Sequence, residues 1–503
     1  MKKFFWALIL ALPMFAFCKE EPAEPKPKVD PELSVTSETA FNLDYHAANV
    51  TVTFTCNTDW RVATNELWIT VTPAQGTGSD SPVSVTLACA ENESLNDRKG
   101  PVYIFVGDLN ATINISQAGN PMFGAAEEIQ SGSTVLATNP NVERYLTNAH
   151  YDDRDGWKTT QILDYYGGFN GKAYNENGEE DPNGTILSWG NQPTSDQPMT
   201  YSIRWNPEDI IAGKDMTLLL QDKLGWSASV AIPAGSYYTN ISNLVPNDTY
   251  TYKVTIDGDG KILAQGNFNT TGHLHQVFFK KACRNGRDLG GWPTLDGKHV
   301  KYRKVYRGGR MQSETLTLPG QEEVKMEGIG AQLDLRGKSD VLSEPAISGF
   351  EFCAPVIEEG GGAMLKKDAA KTKQCFEFVV NNVRAGRGVY FHCSLGRDRT
   401  GTLDILLLGL LGVREGDISK AYEVTYFAPV GYSVSSSEKD SNPKPIFKNT
   451  RCAWVYSDVV PYFWELADQT EGKTFADGVE KYLLEVAGVS QKDIDDFRSL
   501  MLE

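Results

Sequence analysis

Cysteine and histidine are scarce: eight cysteines and six histidines are spread through 503 residues. That excludes a disulfide-stapled scaffold. Cys283, Cys353, Cys375 and Cys452 show no metal-ligand spacing, so neither a metal site nor another cofactor is expected. Cys56 and Cys89 end the alternating runs Val50 to Cys56 and Val83 to Cys89, and either pair with each other or remain separate buried thiols. Positive charge is also short, with 48 Lys and Arg against 65 Asp and Glu and a net charge of −17. A chain so acidic is not a general nucleic-acid binder. The shortage is uneven, because between Lys280 and Arg310 the basic residues far outnumber Asp288 and Asp296. Such a local excess suits an anionic substrate. Beyond the N-terminus, long apolar runs are missing too. Ile405-Leu406-Leu407-Leu408 falls far short of the roughly 20 apolar residues of a membrane span and belongs to a buried helix.

The one long apolar run is N-terminal. Met1-Lys2-Lys3 leads into it, Phe17 ends it, and Cys18-Lys19-Glu20-Glu21 opens a Pro/Glu/Lys tether to Asp30. This pattern predicts an export signal. Cys18 at its end resembles the cleavage site of bacterial lipoproteins, and Lys-Glu-Glu resembles the surface-export signal of Bacteroidetes lipoproteins. The resemblance implies a leader over 1–18, a tether over 19–30, lipidation of Cys18 and a membrane anchor at the outer-membrane surface.

From residue 31 to 120, short Thr/Val-rich alternating segments broken by Asn, Gly, Asp and Pro predict an all-β sandwich. The order Trp60, Trp68 to Val71, Val83 to Leu87, Arg98 and Ala111 to Gly119 resembles a BACON domain, which implies a glycan contact through Trp60 or Trp68. Both tryptophans read equally as core or spacer residues. Residues 121–272 are again β-rich, with a polar stretch around Asp152 to Asn183. Tyr201 to Trp205, Met216 to Gln221, Ser227 to Ile232, Thr249 to Ile256 and Ile262 to Phe268 read as strands. Asp257-Gly258-Asp259-Gly260 turns between the last two. Leu244 to Tyr250 resembles the tyrosine corner of fibronectin type III domains, implying a second sandwich. From 273 to 503 apolar strands alternate with helical patterns, as in Gly330 to Leu335, Lys366 to Ala385, Gly388 to Phe391 and Thr400 to Leu411. That alternation predicts an α/β domain with a central, mostly parallel sheet.

The densest chemistry lies at Tyr390-Phe391-His392-Cys393-Ser394-Leu395-Gly396-Arg397-Asp398-Arg399-Thr400-Gly401, between a strand and a helix. A cysteine followed six positions later by arginine can close a loop whose amides, helix N-terminus and guanidinium face one anion. The same field favours the thiolate, which is the nucleophile. The segment resembles the signature His-Cys-x-x-Gly-x-x-Arg-Thr-Gly of cysteine-dependent protein tyrosine phosphatases. It is closest to a bacterial branch acting on phosphotyrosine and phosphoinositides, in which lysine stands where this chain has Arg397. Asn285 to Trp292, Val305-Tyr306-Arg307, Leu333 to Arg336 and Gly478 to Leu502 match that branch in order.

The resemblance implies a phosphatase with Cys393 as nucleophile and Arg399 with the amides of Ser394, Leu395, Gly396 and Arg397 as the phosphate cradle. Thr400 would assist the sulfur, and His392 would orient the loop and support the thiolate. Asp398 is the expected general acid and Asp334 the alternative. Arg287, Arg307 and Arg336 are candidates for a second phosphate or, equally, for pairing with nearby carboxylates, Asp334 reading also as a strand-end residue that fixes Arg336. The expected partner is a phosphorylated protein or, alternatively, a phosphoinositide or inositol polyphosphate. A glycan-binding surface lipoprotein with an inactive enzyme domain is the reading from another class.

Overall fold

The computed structural model describes residues 30–94, 96–120, 122–148, 154, 185–187, 197–280, 282–313, 316–428, 446–448 and 454–503. The expected leader and tether up to residue 29, Cys18, Cys452 and nearly all of the polar stretch from Asp152 to Asn183 lie outside them. The chain forms two compact units, Met1–Gly124 and Ala125–Glu503.

In the first unit, strands β1 (Leu33–Val35), β3 (Ala48–Cys56), β7 (Ser79–Cys89) and β5 (Ile69–Thr72) form one sheet in the order β1-β3-β7-β5. A second sheet has the order β2 (Ala40–Leu43), β9 (Leu109–Gln117), β8 (Arg98–Val106), β4 (Trp60–Ala63) and β6 (Gln75–Gly76). The period of two turns Val50, Val52, Phe54, Val85 and Leu87 of one sheet into a core shared with Val102, Ile104, Val106, Ile113 and Ile115 of the other. Trp60 belongs to that core, edge-on to Phe54 and packed over Gly76, where an added Cβ would lie 2.6 Å from the indole. Trp68 is half-buried, its ring covered by the Arg98 guanidinium at 4.3 Å and its Nε1 donating to Glu66 at 3.0 Å. Neither tryptophan offers an open platform for a sugar. Cys56 and Cys89 are free buried thiols. They sit at opposite ends of the antiparallel β3–β7 ladder, Cys56 opposite Ser79 and Cys89 opposite Ala48. At about 3.4 Å per residue that separation rules out a bond between them.

The second unit holds a three-stranded sheet, β10 (Glu127–Glu128), β13 (Tyr201–Arg204) and β16 (Tyr238–Ile241), a short strand β12 (Thr185–Leu187) paired with Ile446–Lys448, and a five-stranded sheet in the order β11 (Thr134–Leu136), β18 (Ile262–Thr271), β17 (Thr249–Ile256), β14 (Met216–Asp222) and β15 (Ser227–Ile232). The tyrosine corner is present: the Tyr250 hydroxyl accepts from the N–H of Val245 at 2.9 Å. Helix α1 (Pro140–Asn148) was not expected. Its Val142, Tyr145 and Leu146 join the core of the C-terminal α/β region.

That region holds a mixed sheet in the order β19 (Arg287–Asp288), β20 (Val305–Gly308), β23 (Gly388–His392), β21 (Ile329–Asp334) and β22 (Glu351–Cys353). The last four run parallel and β19 antiparallel. The helical pattern from Lys366 to Ala385 resolves into α2 (Gly361–Lys366) and α3 (Ala369–Arg384). After β23 comes α4 (Asp398–Leu410), whose Ile405 to Leu408 are buried in the core.

No break separates the middle sheet from the α/β region within this unit. Arg303 ties the two together. Its guanidinium pairs with the Asp222 carboxylate, donates to Glu327 Oε2 at 3.3 Å and to the Tyr250 hydroxyl at 3.3 Å, and lies 4.1 Å from the Trp226 ring centroid. Trp226 Nε1 donates to Met326 O at 2.6 Å. Removing one partner of a buried charge network leaves the others desolvated and unpaired. Arg303→Ala is therefore expected to destabilise the second unit by about 3–5 kcal/mol. The urea unfolding of the full chain reads this, and a loss below about 1 kcal/mol would contradict it.

Candidate active site

Strand β23 is buried along its whole length and parallel to both neighbours, so it delivers Cys393 at the carboxyl edge of the sheet, just before α4. Open α/β sheets bind ligands at that edge. The turn between them needs Gly396, which has φ +69° and whose added Cβ would overlap the Gly308 carbonyl.

The loop's backbone groups are divided by direction. Its carbonyls are tied outward. Ser394 O accepts from Arg310 N at 3.2 Å, and Leu395 O and Gly396 O from Asn285 Nδ2 at 3.3 and 2.9 Å. Gly396 O also accepts from Arg307 Nη2 at 2.6 Å, and Arg397 O from Gly401 N at 2.9 Å. Its amides have no such partners: the N–H groups of Ser394, Leu395, Gly396 and Arg399 donate to no acceptor among the described residues. A nest of unspent amides ahead of a helix N-terminus is an anion site.

Of the two readings open for Arg287, Arg307 and Arg336, a second phosphate or internal pairing, the structure shows internal partners for all three. Arg307 is 1% exposed and pairs with the buried Asp404 carboxylate while gripping Gly396 O. Arg287 donates to Asn285 O at 3.2 Å and to Ala421 O at 2.7 Å, and also reaches Asn285 Oδ1. Thr425 Oγ1 collects contacts from Asn285, Arg287 and Arg307 at 3.2, 3.4 and 3.4 Å. Arg336 is bidentate to Asp334, through Nε at 2.9 Å and Nη2 at 2.8 Å. All three are braces, because buried guanidinium groups need carboxylate or carbonyl partners.

Asp334 does not fit the role of acid either. Burial alone would raise its pKa, but the hydrogen bonds from Arg336 and the Leu342 N–H, with the Arg336 charge, outweigh that and hold it below the ordinary carboxylate value. It is an ionised anchor with no proton to give.

His392 is fully buried and its neighbours fix its tautomer. Gln332 accepts from Ala346 N through Oε1 at 2.7 Å, so its Nε2 donates, to Met311 O at 3.0 Å and to His392 Nε2 at 2.8 Å. The proton of the neutral ring therefore sits on Nδ1, facing Cys393 O at 3.3 Å and Asp334 Oδ1 at 3.8 Å. Burial lowers its pKa to about 4 against the opposing pull of Asp334. As a neutral ring His392 lends the sulfur no positive charge.

Cys393 is 3% exposed. Arg399 is half-buried, and its Nη1 donates to Ile357 O at 3.0 Å, leaving the other donors of the fork for a ligand. Thr400 is fully buried and its hydroxyl has no hydrogen-bond partner among the described residues. Asp398 opens α4 as its first residue, half-buried, and Arg397 caps it, 7% exposed. Leu395 stands out at 42% exposure.

Sequence reasoning missed Asp340, whose Oδ2 accepts from Ser394 Oγ at 2.7 Å. It missed the braces Asp404, Thr425 and Gln332 as well. Only the alternation of polar residues within otherwise apolar segments, as at Gln332 and Asp404, hints at buried polar partners.

Comparison with known proteins places residues 280–503 in a match to the family described as "Tyrosine phosphatase family" and residues 58–118 in a match to BACON, described as "Putative binding domain, N-terminal". A protein of Cupriavidus necator named "Putative tyrosine-protein phosphatase" is 29% identical over 163 residues, covering 27% of this chain. This chain spans 59% of that relative's length. A Bacteroides ovatus GH5 xyloglucanase is similar at 16% identity over 32% of each chain, with a TM-score of 0.17. A protein from Bacteroides thetaiotaomicron is similar at 13% identity over 20% of this chain and 97% of its own, with a TM-score of 0.13. At such scores neither structural likeness carries an argument.

The His392 environment has a consequence for stability. Its folded pKa is depressed to about 4, below the ordinary value of 6.5, so the unfolded chain binds the extra proton first. The contribution is intact above that ordinary value and is lost as pH falls towards 4, levelling off below. Wild type is expected to lose about 3 kcal/mol more than His392→Asn between pH 7 and pH 4. Parallel denaturation curves check this, and equal losses would contradict it.

Proposed function

We propose that the α/β region is a cysteine-dependent phosphatase of phosphate monoesters, most simply phosphotyrosine or dual-specificity in range. One observation carries the reading: between Cys393 and α4, the loop carbonyls are bound outward and the amides of Ser394, Leu395, Gly396 and Arg399 are left without protein acceptors. A phosphate would satisfy them.

In the proposed reaction the Cys393 thiolate attacks phosphorus in line, the P–O bond to the leaving group breaks, and a phosphocysteine forms. The loop amides and Arg399 stabilise the charge on the three equatorial oxygens. Asp398 gives its proton to the leaving oxygen, Asp334 being ionised and spent on Arg336. Water then attacks phosphorus and returns its proton to Asp398, releasing phosphate and the thiolate. The Thr400 hydroxyl, buried beside the loop without another partner among the described residues, is suited to hydrogen-bond the departing sulfur.

The commitment of Arg287, Arg307 and Arg336 to internal partners disfavours a phosphoinositide or inositol polyphosphate, which asks for a second cationic pocket. The burial of Trp60 and the covering of Trp68 disfavour the glycan-binding alternative. The proposal also includes the finer architecture, with the front sheets as sandwiches and the C-terminal sheet as the central one. It includes export with lipid anchoring at Cys18.

The test is phosphate release by the reduced full chain from phosphotyrosine peptide, phosphoserine peptide and phosphoinositide. Release from phosphotyrosine peptide that falls by at least about 1,000-fold in Cys393→Ser is the expected result. Undiminished release in that variant, or none from any substrate by wild type, would overturn the reading.

A further inference from the structure

Ser394, the residue after the nucleophile, is held from two sides. Its carbonyl accepts from Arg310 N at 3.2 Å, and its hydroxyl donates to Asp340 Oδ2 at 2.7 Å. Asp340 does not reach this position by chance of a loose loop. It stands on a turn closed by Gly337 O, which accepts from Asp340 N at 3.2 Å and Val341 N at 3.0 Å. Leu342 N then returns the chain to Asp334 Oδ2 at 2.9 Å, so the segment starts and ends on the strand beside the nucleophile's own.

Asp340 is exposed and forms no ion pair among the described residues. Asp334, on the neighbouring strand, is neutralised by the bidentate Arg336, and Glu358 accepts from Lys338 N at 2.9 Å. A carboxylate without a cation thus borders a cradle whose open amides are suited to an anion. Like charges a few ångströms apart oppose one another, and water screens them only in part.

Resting on the phosphatase reading above, we propose that Asp340 is an anionic gatepost: it weakens the hold on bare phosphate and selects, among phosphate esters, those with a cationic neighbour over those with an acidic one. Ser394 fixes the post in place, and the ester must bind against its field. A lysine or arginine next to the phosphorylated side chain would offset that field, whereas an aspartate or a second phosphate would add to it. The rim is thus a filter on neighbouring charge, separate from the groups that perform the chemistry.

The test uses the full chain in the Cys393→Ser form, with and without Asp340→Asn, titrated with inorganic phosphate and with phosphotyrosine peptides flanked by lysine or by aspartate. Asp340→Asn is expected to bind phosphate about 3- to 10-fold more tightly. The gain should shrink between about 50 and about 500 mM salt, as a screened interaction must. Asp340→Glu, which keeps the charge, should stay near the parent. The preference for the lysine-flanked peptide should fall in Asp340→Asn. Equal or weaker phosphate binding by Asp340→Asn overturns the gatepost, and so does a gain indifferent to salt. An unchanged peptide preference overturns the selection. Failure of every form to bind phosphate contradicts the cradle itself.

Discussion

The structure depends on a division of backbone hydrogen bonds at one turn. From Ser394 to Arg397 the carbonyls accept from protein donors, whereas the N–H groups of Ser394, Leu395, Gly396 and Arg399 have no acceptor among the described residues. Peptide groups cannot be turned independently, since fixing a carbonyl fixes the N–H on the other side of the same plane. Buried amides without partners cost about 1–3 kcal/mol each. Such a loop persists only because its surroundings over-determine it.

Those surroundings explain the positions of the charged core. Arg307 on β20 holds Gly396 O and is itself neutralised by Asp404 on α4, so the strand beside β23, the loop and the helix after it are clamped through one guanidinium. Asn285, held by Arg287 and Thr425, secures the two adjoining carbonyls. Below the nucleophile, burial keeps His392 a neutral ring against the pull of Asp334, and Gln332 fixes its tautomer. Helix α1 supports the same region from the middle of the chain, where Tyr145 donates to the buried Glu423 at 2.7 Å. The middle sheet and the α/β region therefore share more than a linker, and Arg303 is the point at which their charges meet.

Much of this was legible in the sequence. The period of two marked the strands of both β-rich regions, and Ser227–Ile232 and Thr249–Ile256 appear with the bounds expected. The tyrosine corner followed from seven residues, and the strand–loop–helix setting of Cys393 from the apolar pattern on either side of it. The roles of the arginines were not legible. Arg287 and Arg307 stand in the basic stretch from Lys280 to Arg310 and Arg336 two positions after Asp334; pairing with a carboxylate and holding a second phosphate read equally well for each, and the partner of Arg307, Asp404, is brought in only by the fold. Helix α1 was missed because its apolar face, Val142, Tyr145 and Leu146, is short and buries against a region more than 100 residues later in the chain. Asp340 was missed for the same reason, since its partner Ser394 lies 54 positions away.

The central claim is that the open amides of the loop hold phosphate. Hydrogen exchange of the full chain, followed by mass spectrometry with and without saturating inorganic phosphate, tests it most directly. Slowed exchange confined mainly to the peptide spanning His392 to Gly401 is the predicted result. Exchange in that peptide unaltered by phosphate would contradict the account.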